Sequence, residues 1–285
     1  MKRYYHICSK GLEKNVIFLN REDFISGVND IAVCRLKFDV VILCFCLMSN
    51  HFHFVLYGTE DTCQEFVLEY KRRCGMRMRQ NRMEVNALHE LSISLNEIDN
   101  MEYLENAIAY VLRNPLAAKI IMMPYHYKWS SADSYFKGNG EISGLCLNDF
   151  SIRKRHRVLR SKMDVPDSYL VDEEGMILPE CFVDVKQVED IFRHPSRLMY
   201  LLAKKLEAEV EIKFGLAEQV SYTDAEISSL VNEMIRNEYG VRSIGNLTNE
   251  QRIRLCVLVK KNFRASAKQI SRITRVELSV VNKVI

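Results

Sequence analysis

Two pairs of residues carry most of the chemistry this sequence can do. His51 and His53 flank Phe52 in the run His51-Phe52-His53-Phe54-Val55-Leu56. In a strand, side chains two apart leave the same face. The two imidazoles then stand side by side while Phe52 turns to the core. Paired imidazoles at that spacing can hold a divalent metal. The same pattern also occurs where two histidines on a half-buried strand are simply hydrogen-bonded. The second pair is Tyr110 and Asn114, one helical turn apart, with Asn106 one turn the other way. A phenol and two amides share that face, and Leu104, Ile108, Val111 and Leu112 point to the other side as core. Read alone, Tyr110 is an aromatic snorkelling at a sheet–helix boundary. Asn114, followed by Pro115, is likewise a cap with Pro at the first position of a following turn.

The elements that must place these groups are legible from periodicity. Tyr4 to Cys8 is β-prone. Asn20 caps a helix carrying Phe24, Ile25, Val28 and Ile31 at helical spacing. Phe38 to Met48 is apolar on both parities, which predicts a central strand covered on both faces. Ser49-Asn50 is a turn, and His51 to Tyr57 completes an antiparallel hairpin. Thr62 to about Met83 reads as a helix with Phe66, Val67, Tyr70 and Cys74 inward. Leu91 to Leu95 reads as a strand, and Asp99 caps a helix over Met101 to Asn114. The order predicts an α+β fold, a ferredoxin-like βαββαβ antiparallel sheet with helices, over residues 1–138, ending near Gly138-Asn139-Gly140. Residues 139–183 read as a basic connector with a small hairpin at Tyr169 to Leu178. Residues 184–285 read as an all-α domain. Thr223-x-x-Glu226, Thr248-x-x-Gln251 and Ser266-x-x-Gln269 in it are capping boxes.

Composition bounds the rest. At 285 residues with 48% hydrophobic and 27% charged positions, the chain builds its core without disulfides or a structural metal, and about two domains are expected. Nine cysteines, an odd count without a CxxC pair and mostly in apolar settings, read as reduced buried thiols of a cytoplasmic protein. Cys44 and Cys46, with CxC spacing inside an apolar strand, do not read as a zinc site. No apolar stretch follows the basic N-terminus, and Val40 to Met48 is too short to span a bilayer, so secretion and membrane insertion are not expected.

The net charge of +3 says less than its distribution. Lys71, Arg72, Arg73, Arg77, Arg79 and Arg82 form a cationic stretch without acids, read as phosphate contacts or as a solvated helix face. Arg153 to Lys162 is a second cationic run. From Arg252 to Ile285 there are nine Lys/Arg and one acid, Glu277. Ile253, Val257 and Leu258 mark one helix there. Ser266 caps a second, with Ile270 and Ile273 inward. After a Thr274-Arg275-Val276 turn, Leu278, Val281 and Val284 mark a third. This resembles a helix-turn-helix offering Lys268, Arg272, Arg275 and Lys283 to DNA, with Arg275 where Gly is usual. A plain trihelical packing module is the other reading.

Three ordered motifs together resemble one family. They are Leu47-Met48-Ser49-Asn50-His51-Phe52-His53-Phe54-Val55-Leu56, then Tyr110-Val111-Leu112-Arg113-Asn114-Pro115-Leu116-Ala117-Ala118, then Pro124-Tyr125-x-Tyr127-x-Trp129-Ser130-Ser131 with Tyr135. Tyr4, His6 and Gly11 fit the opening strand. Over about residues 3–137 the chain resembles the single-tyrosine HUH transposases, and most of all the REP-associated tyrosine transposase group. The resemblance implies an endonuclease and strand transferase that cleaves single-stranded or hairpin DNA. Tyr110 would be the nucleophile forming a 5′-phosphotyrosine. His51, His53 and Asn114 would hold Mg²⁺ or Mn²⁺, and Arg113 and Lys119 would lie at the DNA. Two imidazoles suit Mn²⁺ or softer ions better than Mg²⁺. The family usually has Pro where Ser49 stands, and a basic residue and Gly where Ala117-Ala118-Lys119 stands. The alternative is a non-catalytic DNA-binding regulator that keeps the fold. A homodimer is left open.

Overall fold

The computed structural model describes residues 1–80, 91–138, 143–204 and 222–285. The chain divides into two compact units. One comprises Met1–Ser9 and Ile17–Ala217, the other Lys10–Val16 and Glu218–Ile285.

The first unit is built on β1 (Arg3–Ser9), α1 (Arg21–Lys37), β2 (Val41–Met48), β3 (His51–Gly58), α2 (Glu60–Gln80), β4 (Ile93–Ile98) and α3 (Met101–Ala117). The strands form a four-stranded sheet of order β2-β3-β1-β4, antiparallel at every pairing. This is the expected α+β plan. Asn20 caps α1 by accepting from the Asp23 N–H. The cap of α3 is Asn100, which accepts from Tyr103 N–H, one residue beyond the expected Asp99. The strand expected at Leu91 to Leu95 runs instead over Ile93–Ile98, and residues 81–83 of the expected second helix lie outside the described residues.

The expectation that the Phe38 to Met48 run is a central strand is corrected: β2 lies at the edge of the sheet. It reads as central because it is apolar on both faces and its open edge is closed by other segments. Leu47 N–H donates to Trp129 O, Ser131 N–H to Phe45 O, and Asp184 N–H to Ile42 O. Tyr127 Oη donates to Leu47 O at 2.8 Å, Tyr135 Oη to Leu43 O at 2.5 Å, and Phe45 N–H to Ser131 Oγ. Backbone groups that would otherwise be buried without partners are thereby satisfied. Trp129 stacks on Phe24 of α1. The Pro124 to Tyr135 motif is thus an edge cover for the sheet.

The expected boundary at residue 184 is also displaced. Asp184 caps α5 (Val185–Phe192), and α6 (Pro195–Ala203) follows. Both belong to the first unit, where they pack on α3. A polar segment with a cap signal reads like a domain start, but the packing partner decides which unit it joins. Between α3 and α5 lie β5 (Leu145–Cys146), α4 (Ile152–Leu159) and β6 (Leu170–Val171). The expected hairpin at Tyr169 to Leu178 forms, with Leu178 N–H donating to Leu170 O and Gly175 at φ 86°.

The second unit holds α7 (Asp224–Tyr239), α8 (Asn249–Phe263), α9 (Ala267–Thr274) and α10 (Leu278–Val284). All three capping boxes form. The face of α8 toward the core is Leu255, Val259 and Phe263, and the expected Val257 is 45% exposed. Three residues, Arg275 to Glu277, join α9 to α10, and Arg275 takes the left-handed backbone at φ 58°.

Two arginines of α2 are buried in the first unit. Arg73 Nε meets Asp30 Oδ1 at 2.7 Å, and Arg77 Nη1 meets Asp30 Oδ2 at 3.3 Å, with Asp23 3.5 Å from Arg77 Nε. The Arg77 guanidinium also lies over the Phe18 ring. Removing one partner strands buried charge, at a cost of about 3–5 kcal/mol. Asp30→Ala should lower the unfolding free energy by that order in a urea titration, and a loss within the error of the titration would show that the pair does not tie α1 to α2.

Candidate active site

The pairing of β1 with β3 builds the site. Cys8 stands directly opposite His53, and His6 opposite Val55. Residues opposite one another share a face, as do residues two apart. His6, Cys8, His51 and His53 therefore line one face of the sheet. Phe52 and Phe54 occupy the other, edge-on to Tyr70, with Phe54 also edge-on to Phe66. The histidine face lies under α3. Tyr110 presents its ring edge-on to both His6 and His53, with centroids 5.7 Å apart in each case. His51 and His53 are 5.1 Å apart, and His53 and His6 stack at 5.6 Å. Sequence reading found two of these imidazoles. It placed His6 only as part of an opening strand and did not single out Cys8. The signal was available: His6 and Cys8 repeat the i, i+2 spacing of His51 and His53.

The ring nitrogens sort into two groups. His51 Nδ1 lies 2.7 Å from Asn50 Oδ1, and its Nε2 lies 3.4 Å from Asn114 Oδ1. Asn114 Nδ2 donates to Tyr110 O one turn back, which aims Oδ1 at His51. Burial pushes the His51 imidazole down to about 4, against a smaller upward pull from the Asn114 contact, so the ring is neutral near pH 7 and carries one proton. The short contact to Asn50 takes that proton. Nε2 then offers its lone pair toward an amide oxygen, an arrangement that a cation between them relieves. The donors His51 Nε2 and Asn114 Oδ1 thus fit a divalent ion, with Asn50 positioning the ring from behind. His53 Nδ1 points elsewhere, to His6 Nε2 at 3.4 Å. Burial lowers His6 to about 3, and lowers His53 well below its ordinary value with smaller contributions from His51 and His6. Cys8 Sγ completes the second group.

α3 differs from its expected amphipathic form. It is buried from Ala107 through Pro115, and the stripe of Tyr110 and Asn114 faces the histidines rather than solvent. The helix does not stop at Asn114: it passes through Pro115 to Ala117. It closes with Lys119 N–H donating to Leu116 O and Ile120 N–H to Pro115 O, with Lys119 at φ 55°. Asn114 is therefore not a cap. Tyr110 is 3% exposed, and His51 and His53 are fully buried.

The cations separate sharply. Arg73 and Arg77, expected at phosphates, are instead buried against Asp30 and Asp23, acids distant in sequence but close in the fold. Arg72 is exposed but held bidentate by Glu69, three residues before it. Lys71 donates to Leu91 O. Arg113 is buried, with Nε donating to Leu202 O of α6, a tether rather than a DNA contact in this arrangement. Arg272 is paired with Asp224 and Glu13, and those two bonds raise its pKa against the lowering effect of burial. Arg79, Lys119, Lys268, Arg275 and Lys283 are exposed, and Arg82 lies outside the described residues. Cys44 and Cys46 are fully buried, and burial raises both thiols. No helix among the described residues is long and apolar enough to cross a membrane.

No protein-family model matches the chain, and no curated protein does. Among solved structures, the chain is similar to a REP-associated tyrosine transposase bound to a REP hairpin. The identity is 10% and the TM-score 0.40, over 59% of this chain and 92% of that one.

The buried histidines set a pH dependence. In the unfolded chain they take protons near 6.5, whereas in the fold His51 stays neutral to about 4 and His6 to about 3. The unfolded state then binds more protons below 6.5, so the stability of the metal-free protein should fall as pH drops from about 6.5 toward about 4. His6→Gln/His51→Gln protein should show a shallower fall in chemical denaturation across that window. Imidazole ¹⁵N shifts of His6 and His51 titrating near 6.5 in the folded protein would contradict the burial argument.

Proposed function

We propose that this protein is a DNA endonuclease and strand transferase of the single-tyrosine HUH transposase type. The observation that carries the reading is the convergence, under one helix, of a tyrosine and an asparagine one turn apart on the paired-histidine strand. Tyr110 lies edge-on to His53, and Asn114 Oδ1 lies 3.4 Å from His51 Nε2.

In this reading the Tyr110 phenolic oxygen attacks a phosphorus of single-stranded or hairpin DNA. The O–P bond forms on the 5′ side of the break and the 3′ oxygen leaves as a free hydroxyl. The phenol gives up its proton as the bond forms, and the leaving 3′ oxygen takes one up by way of solvent. A phenol with an ordinary pKa near 10 is also a workable leaving group, so the covalent link retains the phosphodiester energy for rejoining. His51, His53 and Asn114 would hold Mg²⁺ or Mn²⁺, which would supply polarisation of the scissile phosphate. Asn50, 2.7 Å from His51 Nδ1, would keep the Nε2 lone pair free for such an ion. Of the cations expected at DNA, Arg79, Lys119, Lys268, Arg275 and Lys283 are exposed, the last three on the helical second unit, which we read as a DNA-binding helix-turn-helix.

One observation favours the alternative of a non-catalytic DNA-binding regulator: Tyr110 is only 3% exposed, so a strand reaches it only after its cover moves. The Tyr110 hydroxyl separates the two readings. Tyr110→Phe removes one oxygen and leaves the packing. It should bind labelled single-stranded DNA as the wild type does, yet lose the covalent adduct that the wild type shows on a denaturing gel. An adduct of equal yield in the variant would exclude Tyr110 as nucleophile, and binding without any wild-type adduct would favour the regulator.

A further inference from the structure

We propose that His6, Cys8 and His53 form a site for one soft divalent transition-metal ion of the zinc class, with Cys8 as a thiolate ligand. The site shares His53 with the His51, His53 and Asn114 set and differs from it in His6 and Cys8. It does not rest on the transposase reading, because it follows from the β1–β3 register alone.

Cys8 and His53 are directly opposed across the two central strands, and His6 lies two residues back on the same face. One donor atom from each of the three lies within 4.8 Å of the other two, and all three residues are buried. His6 Nε2 and His53 Nδ1 are 3.4 Å apart. Tetrahedral zinc with Zn–N distances of about 2.0–2.1 Å places two such nitrogens about 3.3–3.4 Å apart, so the imidazole pair already has the required bite. An S–Zn–N arrangement needs about 3.6 Å between donors, so from within 4.8 Å the thiol closes on the ion by a movement of at most about 1.2 Å. As the metal–sulfur bond forms, the thiol proton leaves to solvent.

The donor chemistry selects the ion. Two imidazoles and a thiolate suit Zn²⁺ or Co²⁺, whereas Mg²⁺ prefers oxygen ligands. Three protein ligands leave one coordination position, the count of an open rather than a closed zinc site. Because His53 belongs to both donor sets, a soft ion at His6, Cys8 and His53 withdraws it from His51 and Asn114. A soft ion and a hard ion thus compete for one imidazole. Cys46, which stands opposite His53 on its other side, is outside the group and serves as the control.

The test uses the metal-free full-length chain titrated with Co²⁺ and followed by absorbance. The expected result is a thiolate-to-cobalt charge-transfer band with tetrahedral d–d bands, saturating at one equivalent and bleached by added Zn²⁺. Cys8→Ser should lose the charge-transfer band, His6→Ala should weaken binding at least tenfold, and Cys46→Ala should leave the spectrum unchanged. An unchanged band in Cys8→Ser, or its loss only in Cys46→Ala, overturns the proposal. X-ray absorption at the zinc edge of the wild type needs no variant: a shell with one sulfur supports the site, and a shell of nitrogen and oxygen alone overturns it. The signature in a protein that forms no DNA adduct would uphold this site while counting against the transposase reading.

Discussion

The antiparallel pairing of β1 with β3 is the constraint on which the rest depends. It puts Phe52 and Phe54 against α2 and, by the same alternation, His6, Cys8, His51 and His53 under α3. A slip of one residue on β3 would send the phenylalanines toward Tyr110 and the histidines into the aromatic core, so the packing of Tyr70 and Phe66 secures the site's geometry. The price is desolvation: the imidazoles are held neutral, and none can serve as a resident cation near neutral pH.

The surroundings stiffen that face. The segment from Tyr127 to Tyr135 closes the edge of β2 through main-chain bonds and two tyrosine hydroxyls. The Arg73–Asp30–Arg77 group ties α2 to α1 on the opposite side of the sheet. Arg113 joins α3 to α6. Residues that look like DNA contacts or catalytic neighbours in sequence thus do structural duty, and they hold the strand that carries the histidines.

Much of this was legible beforehand, for identifiable reasons. Helix caps at Asn20, Thr223, Thr248 and Ser266 depend on residues three apart, and these formed as read. The ferredoxin-like order followed from alternating periods. Of the candidate site, His51, His53, Tyr110 and Asn114 could be named from the sequence, because each pair lies on one element. What failed was non-local. Partners such as Asp30 for Arg73, or Glu13 for Arg272, lie 43 and 259 residues away in sequence. The edge position of β2 was hidden because coverage by residues 129–131 and 184 buries it like a central strand. His6 and Cys8 join the histidines only once the register of β1 against β3 is known.

The central claim is that Tyr110, held against the histidine face, is the group that bonds to DNA. The most direct measurement is tandem mass spectrometry of the wild-type protein after incubation with single-stranded DNA and Mn²⁺, nuclease trimming and proteolysis. The account predicts a nucleotide joined through a 5′-phosphate to the peptide containing Tyr110, with fragment ions that place it on that tyrosine. A nucleotide on another of the protein's tyrosines, with Tyr110 recovered unmodified, would contradict it.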